Sequence, residues 1–227
     1  MNIVSFLAPR PEHPRWMDYL PHLAVLQRSC DRLDLRHVVI TDDPSLPHER
    51  FECAMPRDLM PAVIAGQLAW LRDGDWRNDG TCFVGADCLF LQDPTPYLAG
   101  IFDMAVTYRG PHSRYPINTG LVYVSGAARE RVAAMFAGML KRVGKTWCDD
   151  QRAIQTALSP LPNECGVYSR AGMAKVGFLP MGPFNSRPAS VEDSMAGRVM
   201  LHFRGKADMK ALMLGWARRH LPDAGAG

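Results

Sequence analysis

The 227-residue chain reads as an α/β protein, a mixed, mostly parallel sheet flanked by helices. Three observations lead there. Short apolar, β-branched runs alternate with segments of helical period through the first half, the order expected when helices cover both faces of a sheet. Hydrophobic residues make up 47% and charged residues 22%, which supplies a full core and argues against disorder as the main state. No internal repeat, low-complexity tract or linker divides the chain, so residues 1–221 are expected to form one domain and residues 222–227 a disordered tail.

The elements follow in order. Residues 2–8 form an apolar run ended by Pro9 and Pro11, a buried first strand. Residues 16–33 carry apolar side chains at roughly helical spacing, and residues 37–41 (HVVIT) are a second strand closed by Asp42, Asp43 and Pro44. Residues 61–72 form a helix with proline in its first turn, where a missing N–H costs little, followed by a polar turn over residues 73–80. Residues 81–90 (TCFVGADCLF) have strand chemistry on both sides of Gly85, Ala86 and Asp87. Strands are expected over residues 104–108 and 120–124, helices over 127–143 and 149–158, a loop-rich stretch with short strands over 160–188, a strand over 199–203 and a last helix over 206–221.

A net charge of +3 suits an anionic ligand but is too weak to argue for nucleic acid, which asks for a dense basic face. The six cysteines form no CxxC pair and no zinc-finger spacing, so they read as reduced and mostly buried. The N-terminus lacks the basic start and long apolar run of a signal peptide. No stretch approaches the apolar length of a membrane span. A cytoplasmic location is therefore expected. The segment from Lys210 to His220 mixes Met, Leu and Trp216 with Arg218 and Arg219. It is either a final helix packed on the core with a basic outer face, or a peripheral contact with a membrane surface.

Four polar insertions interrupt this apolar pattern. Asp87 follows an apolar strand, where α/β proteins place ligands; it either binds a divalent cation or caps a turn. Asn118, Thr119 and Gly120 lead into a strand, as a ligand-approaching turn or a plain one. Asp149, Asp150 and Gln151 precede an apolar helical stretch, where one aspartate is expected as its N-cap while the other faces a pocket. His202 ends an apolar strand and is followed by Gly205 and Lys206, residues suited to a metal or a phosphate, or to an ordinary structural histidine.

In this order along one chain, the four motifs resemble GT-A glycosyltransferases, whose Rossmann-like domain binds nucleotide-diphospho-sugars. The glycogenin and bacterial lipopolysaccharide galactosyltransferase group is the nearest likeness, over residues 2–210. The resemblance implies that Asp87 matches the second Asp of a DxD motif and His202 the histidine of HxxG, both as ligands of Mn²⁺ or Mg²⁺. It places Gly205 and Lys206 beside the diphosphate, Ala86 among the residues that bind the nucleotide-sugar, and Asn118 at the donor sugar. Asp150 and Gln151 lie between sugar and acceptor, with Ala8, Thr41 and Asp42 around the base. Two positions depart from the pattern: Gly85 replaces the first Asp of DxD, and Asp208 stands where HxxGxxK has its lysine, with Lys206 and Lys210 on either side.

The activity this implies is transfer of a sugar from a nucleotide-diphosphate donor, UDP-linked by preference, to a hydroxyl of a saccharide or glycolipid, with retention and with metal assistance. Asp150 would orient the acceptor or serve as base, and loops over residues 109–115 or 182–194 would exclude water. Three other readings share the sheet: a sugar nucleotidyltransferase, a nucleotide-sugar-binding protein without turnover, and a glycosyltransferase acting on nucleic acid. The first usually needs a glycine-rich basic loop after the first strand. Residues 8–15 (APRPEHPR) hold three prolines and no glycine.

Overall fold

Apolar runs become strands where a partner covers both faces. A computed structural model describes residues 1–8, 18–76, 80–205 and 207–221. Ten strands are described: β1 (Asn2–Phe6), β2 (Arg36–Thr41), β3 (Arg50–Glu52), β4 (Gly80–Val84), β5 (Cys88–Phe90), β6 (Met104–Tyr108), β7 (Ile117–Ser125), β8 (Gly166–Arg170), β9 (Met173–Pro180) and β10 (Met200–His202). Seven helices accompany them: α1 (Leu20–Asp31), α2 (Leu59–Asp73), α3 (Thr95–Leu98), α4 (Arg129–Leu140), α5 (Asp149–Ala157), α6 (Met181–Phe184) and α7 (Ala207–His220).

Eight strands form the main sheet in the order β3-β2-β1-β4-β7-β6-β9-β8, while β5 and β10 pair with each other in a second, two-stranded sheet. The main sheet is mixed. β3-β2, β2-β1, β1-β4 and β6-β9 are parallel, and β4-β7, β7-β6 and β9-β8 are antiparallel. Successive side chains point to opposite faces. Val4, Phe83, Val106 and Val122 pack with Ile64, Leu68 and Phe136 of α2 and α4, while Ile3, Cys82, Ala105 and Leu121 pack with Leu26 and Cys30 of α1.

The strands expected at residues 37–41 and 104–108 are present, the first with Arg36 added. The stretch over residues 81–90 divides at Gly85, and its halves enter different sheets. Asn118, Thr119 and Gly120 are not a turn before a strand; they lie inside β7. The region over residues 160–188 is more regular than its composition suggests. β8 and β9 form a hairpin through Ala171 and Gly172, both at positive φ, the backbone of a two-residue turn that follows the twist of the strands. β9 then extends the main sheet as a parallel neighbour of β6.

α7 packs Met213, Trp216 and Ala217 into the protein. Trp216 Nε1 donates to the Asp193 carbonyl at 2.7 Å and its ring stacks on His220 at 4.3 Å. The packed-helix alternative therefore describes α7, with Arg218 and Arg219 exposed, and its buried tryptophan is withdrawn from any membrane surface. No described helix is long and apolar enough to cross a membrane. The six cysteines are free, but only Cys30, Cys82 and Cys88 are buried. The expected tail, the first residues of the helix foreseen from residue 16, and Lys206 lie outside the described residues.

Candidate active site

Strand direction decides where the singled-out residues meet. β1, β2, β4, β6 and β9 run the same way, and β7 runs against them. The carboxyl ends of the first group and the amino end of β7 therefore share one edge. Ala8 follows β1, Thr41 and Asp42 close β2, Ala86 and Asp87 follow β4, Arg109 follows β6, and Asn118 lies near the start of β7.

The second sheet locks Asp87 to His202. Gly85 ends β4, its carbonyl accepts from Cys88 N at 3.1 Å, and β5 begins. β10 runs antiparallel to β5 with His202 opposite Cys88. Phe203 N donates to the Asp87 carbonyl at 2.9 Å, and His202 Nε2 lies 3.3 Å from Asp87 Oδ1. Lys210, in the first turns of α7, donates its ammonium to Asp87 Oδ2 and reaches the Phe203 carbonyl at 3.3 Å. Burial of Asp87 works against its charge. His202 and Lys210 together outweigh that effect and hold the carboxyl well below the usual carboxylate range.

Gly85 is explained by the same geometry. A Cβ there would come within 2.5 Å of Asp87 Oδ1, so a bare backbone is what lets Asp87 fold back between the histidine and the lysine. Gly120 has a similar role across the gap. Its Cβ would lie 2.5 Å from His202 Cε1 and 2.7 Å from Asn118 Oδ1. The β6-β7 ladder is irregular here, with Val106 opposite Val122 but Thr107 opposite Asn118. Strand alternation sets Asn118 and Gly120 toward the side of His202 and Thr119 toward α5.

Asn185, which the sequence reading missed, joins these parts. It is 1% exposed. Its Nδ2 donates to Asn118 Oδ1 at 2.8 Å and to Thr107 Oγ1 at 3.0 Å. Its Oδ1 accepts from Arg204 Nη1 at 2.7 Å and meets His202 Nδ1 at 3.1 Å. Because a guanidinium only donates, the arginine sets the amide orientation, and His202 must then present Nδ1–H. Nε2 is left facing Asp87. Asn118 Oδ1 also accepts from Gly120 N at 2.9 Å, so this oxygen is engaged within the protein and only the Asn118 amide nitrogen suits a sugar contact.

On the other face of β7, Thr119 Oγ1 donates to Asp150 Oδ2 at 2.6 Å. Burial raises the Asp150 carboxyl above the ordinary carboxylate range, although the Thr119 hydroxyl opposes the shift. The expected N-cap is corrected. Cys148, in the left-handed conformation, is the N-cap of α5, and neither aspartate caps it. Asp149 instead accepts from Thr146 N at 2.9 Å and from Arg152 at 2.8 Å. Gln151 Oε1 is buried with no hydrogen-bond partner, an acceptor directed at no described donor, and such a group carries a cost that a ligand hydroxyl relieves. At the end of β2, Thr41 is buried with its hydroxyl accepting from Asp43 N at 3.0 Å, and Asp42 is exposed. Ala86 packs with Leu7 and Val39. Gly205 has φ +128, a conformation that favours glycine. A separate cleft lined by Gln27, Asp31, Arg36 and His48 lies at the opposite end of β2.

Asp87, Cys88 and His202 bring a carboxylate, a thiol and an imidazole together, with one ligand atom of each within 4.8 Å of the others. The cluster is a poor match for a resident Mn²⁺ or Mg²⁺. Such ions take several oxygen ligands, and this cluster holds one carboxylate already engaged by an ammonium. The thiol is held in its neutral form by burial, and thiolate is its ligating form.

Two cationic side chains reach the cluster, Lys210 directly through Asp87 and Arg204 through Asn185. Burial lowers the Arg204 pKa, and the charges of Arg109 and Arg187 lower it further. No described carboxylate forms an ion pair with Arg109, Arg187 or Arg204. Positive charge therefore gathers at the Asp87–His202 cluster, while Thr119 holds Asp150 on the other face of β7.

No protein-family model matches the sequence, and neither does any curated protein sequence. Solved structures do match. A glycosyltransferase involved in the glycosylation of the major capsid of PBCV-1 superposes with a TM-score of 0.60 at 12% identity, over 93% of this chain and 97% of that one. The galactosyltransferase LgtC, in complex with donor and acceptor sugar analogues, gives 0.57 at 12% identity over 99% and 98% of the two chains. The glycosyltransferase GlyE of Streptococcus pneumoniae gives 0.56 at 10% identity over 90% of this chain and 54% of GlyE, so this chain spans about half of GlyE. The chain has the fold of these glycosyltransferases, the GT-A-like architecture that the motif order resembled.

Proposed function

We propose that this protein is a glycosyltransferase that moves a sugar from a nucleoside diphosphate to an acceptor hydroxyl. The observation that carries the reading is the start of β7. Asn118 and Gly120 are tied to the cationic cluster around Asp87 and His202, and Thr119 between them holds the half-buried Asp150. A diphosphate leaving group needs fixed positive charge and an acceptor hydroxyl needs an orienting group or base, and the start of β7 contacts a candidate for each. Residues 1–221 would form the catalytic domain.

In this reading the base lies by Ala8, Thr41 and Asp42, at the ends of the first two strands, and the diphosphate lies against the cations. Gln151 Oε1 accepts from a sugar hydroxyl, and the Asn118 amide nitrogen contacts the donor sugar. The anomeric C–O bond to phosphate breaks, and its electron pair stays on the departing oxygen. The acceptor oxygen bonds to the anomeric carbon, and its proton passes to Asp150, whose raised pKa makes it a better base than an ordinary aspartate. UDP as donor nucleotide, retention of configuration by attack of the acceptor on the same face from which the phosphate departs, and a saccharide or glycolipid acceptor in the cytoplasm follow from the family resemblance. Lys206, carried over from that resemblance to the diphosphate, retains that proposed role beside the geometry described for Lys210.

The test is a thermal-shift screen of UDP-, GDP-, CMP- and TDP-linked sugars, followed by measurement of nucleotide release from any that bind. A ligand of the folded state raises the midpoint by mass action. One nucleotide class is expected to raise it and to be turned over, with turnover lost in Asp150→Asn. Binding without nucleotide release under any acceptor would favour the non-catalytic binding protein.

A further inference from the structure

The cation that meets Asp87 is covalently part of the chain. Lys210 reaches the carboxylate from α7 and is held there on several sides. Its backbone carbonyl accepts from His22 Nε2 of α1 at 3.1 Å, and its ammonium lies 4.9 Å from the centre of the Tyr19 ring. Arg204 is fixed just as firmly, since its Nη1 donates both to the Asn185 side chain and to the Asn185 carbonyl at 3.1 Å. Gly85 removes a second carboxylate from the place where one would draw in a divalent ion. A doubly charged cation entering here would meet the Lys210 ammonium and the Arg204 guanidinium, with Asp87 as the one carboxylate of the cluster among the described residues. An incoming diphosphate meets the opposite situation, two negative phosphates against an excess of fixed positive charge.

We propose that Lys210 and Arg204 bind the diphosphate of the donor and neutralise it as it departs, in place of a divalent metal ion. The inference rests on the glycosyltransferase reading and departs from the metal dependence which the family resemblance implies. Asp87 then acts as a positioning residue. It holds the ammonium extended at the edge of β5 and keeps His202 oriented until the phosphates arrive. As the anomeric C–O bond breaks, negative charge grows on the phosphate oxygen, and the lysine ammonium and the guanidinium stabilise it without exchanging a proton. Lys206, four residues earlier in the sequence, is not required for this role.

Three measurements on the full chain test it. UDP, GDP, CDP and TDP are titrated by calorimetry in EDTA and again in Mn²⁺, with inorganic pyrophosphate as a probe without a base. Mn²⁺ alone is titrated with protein and followed by its electron paramagnetic resonance signal. Lys210→Met and Lys210→Arg are compared, each checked for an unchanged melting curve. One nucleoside diphosphate is expected to bind with the same affinity in EDTA and Mn²⁺, within about twofold. Lys210→Met should weaken it at least tenfold, and Lys210→Arg should keep it within about threefold. Free Mn²⁺ should stay unbound without nucleotide. Binding that appears only with Mn²⁺, or unchanged binding in folded Lys210→Met, would overturn the inference while leaving the glycosyltransferase reading intact. Failure of every nucleoside diphosphate to bind the folded protein in either condition would overturn both.

Discussion

Asn185→Ala is the perturbation that most directly tests how the site is held. Asn185 makes four side-chain hydrogen bonds: two donated, to Asn118 and Thr107, and two accepted, from Arg204 and His202. Their partners are affected unequally. Asn118 Oδ1 keeps Gly120 N, Thr107 Oγ1 still donates to the Asn118 carbonyl at 2.8 Å, and Arg204 keeps the Asn185 carbonyl. His202 Nδ1 loses its one described partner. A buried donor left unpaired costs about 1–3 kcal/mol, and each of the other bonds about 0.5 kcal/mol after its partner falls back on what remains. The sum is about 3 kcal/mol, a fall of about 6–12 °C in melting temperature for a domain of this size. The assay is urea and thermal unfolding of Asn185→Ala, His202→Ala and the double variant. If the amide acts by holding the histidine, the two substitutions should couple by at least about 1 kcal/mol. Strict additivity, or a loss in Asn185→Ala of under about 1 kcal/mol, refutes the claim that this amide organises the site.

Three further outcomes are expected. Gly120→Ala places a methyl group against the His202 ring on a strand paired on both sides; overpacking there should cost about 1–3 kcal/mol, and donor binding should weaken with it, as calorimetry would show. Asp150→Asn should lower turnover by about 10²–10⁴-fold. In the unmodified protein the acid limb of the rate profile should lie above the ordinary aspartate range, because a raised carboxyl is protonated, and lost as a base, earlier as pH falls. The same shift means that the charged Asp150 opposes folding above its unfolded pKa, so Asp150→Asn should unfold at the same or a higher temperature at neutral pH. Burial lowers the pKa of His37, bonded to Ser5 and Gln27, to about 3. A depressed histidine favours the folded state above its unfolded pKa of about 6.5 and loses that contribution as pH falls through it. Stability should therefore drop by about 2 kcal/mol between pH 7 and pH 5 from this group, and His37→Gln should flatten the urea-midpoint profile over that range.

Much of the architecture is legible in the residues because it rests on local alternation. HVVIT and MAVTY are apolar on both faces and become β2 and β6, buried between helices, while the helical spacing of residues 61–72 becomes α2. Elements were missed where local pattern is weak. Arg50–Glu52 is three residues with charge at both ends, and it becomes β3 only because β2 offers a free edge. β8 is half-exposed and is held by its hairpin partner. The Ala171-Gly172 pair was the available signal for that hairpin.

For the site, residue type and order along the chain singled out Asp87, Asn118, Asp150, Gln151 and His202 as candidates, because polar groups interrupting apolar strands are visible in a linear pattern. The sequence also showed Gly85 in place of an aspartate, which subtracts a ligand. What only the tertiary structure decided is which groups share a space. The register of β5 against β10 sets His202 beside Asp87, and the packing of β7 between the two sides of the sheet gives Asn118 to Asn185 and Thr119 to Asp150. Asn185 sits in a segment without periodicity and becomes a hub through contacts 17 to 78 residues away in the chain. Lys210 reaches Asp87 because α7 docks against α1. Such contacts depend on how distant segments are brought together, and no residue carries that information in its own neighbourhood.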